Sequence, residues 1–115
     1  MEHDHEIALK LRWRHTWDDK EDDFTAEADG YQGSVGRIYQ HDTGGHLNGS
    51  WFWAMNAFGP EISRNIEPLS GYEPSPRRAA REVERAWFAA IRGSSLDLPN
   101  PVPSKNAYAE AKARE

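Results

Sequence analysis

The sequence predicts an α+β fold: an antiparallel three- to four-stranded sheet with one long amphipathic helix packed on one face, a flexible N-terminus and a Pro-rich C-terminal tail. Three observations predict it. Apolar and polar residues alternate with period two from 7 to 17, as in a strand with one buried face. An aromatic run, Trp51-Phe52-Trp53, lies between Gly49 and Gly59. Beyond Ser75-Pro76, apolar residues recur at three- and four-residue spacing, which makes one face of a helix. Strands followed by a helix give a sheet roofed on one side.

Residues 1–6 are acidic and lack an apolar stretch, so they read as a solvated terminus and not as a signal peptide. In the first strand, 7–17, Ile7, Leu9, Leu11, Trp13, His15 and Trp17 share the buried face, and Lys10, Arg12 and Arg14 face outward. The acidic run 18–23 is a turn. A short second strand over 24–28 is stopped by Asp29-Gly30, a strong turn signal. The third strand, 35–41, turns Val35, Arg37, Tyr39 and His41 one way and Gly36, Ile38 and Gln40 the other. A polar loop over 42–48 then leads into the aromatic strand, which pairs with the third as an antiparallel hairpin.

Alternation in the aromatic strand sets Trp51, Trp53, Met55 and Ala57 on one face and Phe52, Ala54, Asn56 and Phe58 on the other. Both faces are largely apolar, which places this strand in the interior of the sheet. Large rings bury roughly 150–250 Å² each, so they compensate for sparse aliphatic residues. From 59 to 73 the chain is broken by Pro60, Pro68 and Gly71, with a few strand residues expected at 64–66. Ser75 caps the helix and Pro76 occupies its first position. Ala79, Ala80, Val83, Ala86, Trp87, Ala90 and Ile91 form its apolar face, and Gly93 ends it. Pro99, Pro101 and Pro103 make the C-terminal stretch an extended tail, with a possible short helix over 107–114. The expected organisation is a single domain over 1–98 and a tail over 99–115.

Composition narrows function. The formal net charge of −5 argues against broad nucleic-acid affinity. The charge is uneven: residues 1–34 hold ten acids against four bases, and 75–93 hold five arginines against two glutamates. The absence of cysteine removes disulfide and thiolate chemistry. No apolar run approaches the roughly 20 residues of a membrane-spanning helix, so a cytoplasmic location with no membrane partner is expected.

No motif assembles a reaction centre. Asp42-Thr43-Gly44 matches the triplet of aspartic proteases, but His41, Gly45 and His46 surround it with a wet loop where that chemistry needs a desolvated pair. His41, Asp42 and His46, like His3, Asp4 and His5, fall short of a closed ligand set. The run 18–23 lacks the glycine and terminal glutamate of a calcium loop. Gly30, Gly33 and Gly36 miss phosphate-loop spacing. The expectation is a protein without catalytic residues, metal or cofactor.

Two charged surfaces remain. On the helix, Arg77, Arg81 and Arg85 form a ridge balanced by Glu82 and Glu84. On the sheet, Arg12, Arg14, Arg37 and Tyr39, with Trp51 and Trp53, are the candidate binding residues, because arginine and rings on a sheet suit a macromolecular partner. That partner is expected to be another protein, with nucleic acid as the alternative.

Val35-Gly36-Arg37-Ile38-Tyr39, Trp51-Phe52-Trp53, Ser70-Gly71-Tyr72 and a helix bearing Ala79, Ala80 and Trp87 resemble a set of small bacterial proteins of unknown function. The resemblance covers about half the chain and implies a strand–strand–helix unit without implying an activity. The order of elements is also similar to that of HicB-type antitoxins. The stretch 59–73 departs from that family, as does the lack of a separate ribbon–helix–helix segment.

Overall fold

In the computed structural model, which describes residues 4–41 and 49–97, a 3-10 turn at Asp4–Glu6 precedes five strands and one helix. The strands are β1 (Arg12–His15), β2 (Asp23–Glu27), β3 (Gly36–Gln40), β4 (Trp51–Met55) and β5 (Ser70–Glu73), and the helix is α1 (Pro76–Ala90). Each strand pairs antiparallel with the next, so chain order is also spatial order. The α+β class holds, but the described sheet has five strands instead of three to four. The tail 99–115 and the loop 42–48 lie outside the described residues.

The additional strand is β5. Ser70-Gly71-Tyr72-Glu73 has no apolar alternation, and the strand expected at 64–66 is absent. Backbone pairing with β4 holds β5 in the sheet, and Gly71 opposes Trp53. A Cβ at position 71 would stand 3.0 Å from the Trp53 indole nitrogen, so glycine leaves room for that ring.

The first strand is shorter than its alternation implies. Ile7 is buried, and Leu9, Leu11 and Trp13 pack against the core, but only 12–15 join the sheet. Segment 7–11 instead follows α1, where the amides of Lys10 and Leu11 donate to the Glu84 carboxylate at 2.9 Å. The Trp13 indole donates to the same carboxylate at 2.9 Å. Trp17, expected inside, is 51% exposed, because the chain turns away to reach β2.

α1 forms where its sequence says it should. The Ser75 hydroxyl accepts from the Arg78 amide at 3.2 Å, Pro76 takes the first turn, and Gly93 adopts φ +81° just past the end. Ala79, Ala80, Val83, Ala86, Trp87 and Ala90 are buried against β3 and β4. Beneath them lie Ile38, Trp51, Trp53 and Met55. The small residues let helix and sheet approach closely. At Gly36 a Cβ would fall 2.5 Å from Val83 Cγ1 and 2.6 Å from the Ala54 carbonyl oxygen. That glycine therefore serves the close packing of helix on sheet.

Candidate functional site

Because α1 covers one face, alternation assigns every strand residue to the covered side or to the side that no element among the described residues covers, the open side. The register places Asp23, Tyr39, Phe52 and Tyr72 in one row across β2 to β5 on the open side. The adjacent open row runs Arg14, Thr25, Arg37, Ala54 and Ser70. Arg12 lies opposite Glu27 on the same side.

Four of the candidate binding residues are thus brought together: Arg12, Arg14, Arg37 and Tyr39. Trp51 and Trp53 are not. They occupy the covered side at 7% and 2% exposure, so they build the core and share no surface with Arg37. Their place on the open side is taken by Phe52 and Tyr72, which the sequence reading did not single out. Tyr39 and Phe52 have ring centroids 5.2 Å apart, Phe52 and Tyr72 5.4 Å, and His41 meets Tyr72 edge-on at 5.6 Å. The result is a continuous aromatic strip ending at Tyr72, which is 42% exposed.

Each open-face arginine is matched to an acid. Arg12 pairs with Asp29, and Arg14 with Glu27 at 2.9 Å; both pairs are solvent-exposed and contribute little stability. Arg37 differs. Its Nε donates to Asp23 Oδ1 at 2.8 Å and its Nη2 to Oδ2 at 2.5 Å, while its guanidinium lies 4.9 Å over the Tyr39 ring. Asp23 is buried and also accepts from the Trp17 indole at 3.2 Å. Burial works to raise the Asp23 carboxyl, but hydrogen bonds from Arg37 and Thr16 and the charge of Arg37 together hold it below the ordinary aspartate value. In turn the Asp23 hydrogen bond holds Arg37 protonated. A groove of about 280 Å³ opens beside this pair, lined by Lys20, Asp22, Tyr39, Gln40 and His41 as well.

The helix ridge does not form a comparable surface. Arg77 donates to the Ile7 carbonyl at 3.0 Å, and Arg85 pairs with Glu82 at 2.9 Å and reaches the Pro68 carbonyl. Glu84, expected to balance the ridge, is turned inward to hold the N-terminal segment. Asp4, weighed as a metal ligand in the sequence, pairs with Arg78 at 3.0 Å. The Asp42-Thr43-Gly44 triplet, His3 and His46 lie outside the described residues. No helix among the described residues is long and apolar enough to cross a membrane.

Comparison with protein-family models, with curated proteins and with solved structures yields no match.

Proposed function

We propose that the chain is a non-enzymatic binding module that recognises another protein through the open face of its sheet. One observation carries the reading: α1 roofs a single face and leaves Tyr39, Phe52 and Tyr72 as an aromatic strip on the other. Tyrosine and phenylalanine are favoured at protein interfaces because a rigid ring buries much area while losing few rotamers. The paired arginines beside the strip supply a polar rim of the kind that borders such a patch.

Site-specific photocrosslinking in source cells tests this. A photoreactive residue at position 54, on the open side, should give discrete protein adducts, and one at the exposed helix position 88 should not. Equal adducts from both positions, or none from position 54, would reject the reading.

A second reading has support from the same face, since Arg12, Arg14 and Arg37 share it with rings on which bases could stack. In that case labelled RNA or DNA binds at low salt, binding weakens steeply as salt rises, and Arg12→Ala removes it. The matched acids and the net charge of −5 favour the protein partner.

A further inference from the structure

We infer that the groove beside Arg37 selects a carboxylate, so that the preferred partner segment carries an acidic group next to an apolar or aromatic residue. This rests on the protein-binding reading and specifies its chemistry. Asp23 engages Arg37 side-on, through Nε and one Nη2 hydrogen. The remaining N–H groups, on Nη1 and Nη2, have no acceptor among the described residues. They form the end-on fork that matches a planar carboxylate with two parallel hydrogen bonds. The fork is already immobilised: Asp23 grips one edge, Tyr39 lies beneath the plane, and Asp23 is itself tied to Trp17. A donor held in place before binding loses little freedom on binding, which is what makes an arginine a strong anchor.

Charge narrows the ligand further. Lys20 lines the groove with no ion-pair partner among the described residues, and Asp22 lines it too. Lys20 and Arg37 are offset by Asp22 and Asp23, so the lining is neutral: one carboxylate meets the free donors of Arg37 without net repulsion, and a second negative group is opposed. A single carboxylate fits that balance and a polyanion does not, the more so for a chain with a net charge of −5. Adjoining the groove, Tyr39, Phe52 and Tyr72 continue the surface at ring spacings of 5.2 and 5.4 Å. Side chains two apart in an extended peptide repeat at about 6.6–6.8 Å. An extended segment crossing the strands can set its carboxylate on Arg37 and a side chain two residues away toward Tyr39 and Phe52, with Tyr72 a further such step along.

The test is selection of random linear peptides displayed with free or amidated C-termini against the full chain, followed by titration of the enriched peptides. Enriched peptides should pair an acidic group with Phe, Tyr, Trp or Leu two to four residues away. Arg37→Gln should weaken binding by about 10- to 100-fold, the scale of a charge-assisted hydrogen-bond pair. Glu→Gln or Asp→Asn in the peptide should produce the same loss, and none further when combined with Arg37→Gln. Should Arg37→Gln fail to fold, the peptide exchange together with Tyr72→Ser, at an exposed edge position, carries the test. Enrichment confined to free C-termini assigns the carboxylate to a chain end; enrichment in both libraries assigns it to a side chain. Peptides that depend on Tyr72 but tolerate loss of their acid overturn this inference and leave protein binding standing. A selection with no peptide dependent on the open face, tight binding of single-stranded RNA there instead, or closure of that face by a second copy in solution overturns both.

Discussion

The two faces of the sheet carry similar numbers of rings and use them in opposite ways. On the covered face Trp51 and Trp53 belong to one buried cluster with Trp87, Val83 and the alanines of α1, and nothing larger than glycine fits at position 36. On the open face Tyr39, Phe52 and Tyr72 touch one another and remain wetted, with ion pairs beside them. Aromatic content in a strand does not say which rings are structural. The side of the strand that the helix lands on decides it.

Substitutions should therefore separate the faces by the size of their effect. Trp87→Ala removes a fully buried ring and should cost about 3–5 kcal/mol in a denaturant melt, a large part of the roughly 5–15 kcal/mol that holds a domain. A melt shifted by less than half of that would mean the covered face is loosely packed. Glu84→Gln weakens a buried carboxylate that accepts from two amides and an indole. About 1.5–3 kcal/mol should be lost, with hydrogen exchange accelerated more at Lys10 and Leu11 than at the amides of β1. Unchanged exchange at those amides would show that the segment is held by its apolar side chains alone.

Gly36→Ala forces α1 off the sheet or twists β3, at about 1–3 kcal/mol by overpacking. Tyr72→Ser, by contrast, should change stability by no more than about 1 kcal/mol, the range of a cross-strand pair, and alter binding instead. A large stability loss there would dissolve the contrast between the faces.

Acid titration separates the two faces by sign. Asp23 sits below its ordinary value in the folded state, so its contribution is present above about pH 4 and is lost as pH falls through the folded-state value. The stability gap between the wild type and Asp23→Asn should shrink on acidification. Glu73, on the covered side, is raised by burial and by Glu82, so the sign reverses: its effect favours folding at low pH and is lost as pH rises through the folded-state value. Glu73→Gln should accordingly flatten that part of the profile.

Much of the fold was legible because local signals agreed with tertiary need. Ser75, Pro76 and the three- and four-residue spacing specify α1, and period-two alternation specifies β3 and β4. The first strand was overextended because Ile7, Leu9 and Leu11 alternate in order to pack along a helix, a demand the pattern cannot tell from sheet pairing. β5 was missed because its pairing is made by backbone groups, on which Ser70-Gly71-Tyr72-Glu73 leaves no apolar imprint. In the candidate site, the register sets Arg12, Arg14, Arg37 and Tyr39 on one face, and Trp51 and Trp53, grouped with them from the sequence, on the other. Parity within each strand was right. What was lacking was the register between β3 and β4, which sets Tyr39 against Phe52 instead of a tryptophan and depends on a connecting loop with no strict turn signature.

The bond from Glu84 to Lys10 spans 74 positions. During synthesis the amides of Lys10 and Leu11 stay bonded to water until residue 84 has left the ribosome. In that interval Ile7, Leu9 and Leu11 have no helix to pack on and stay open to chaperones and proteases.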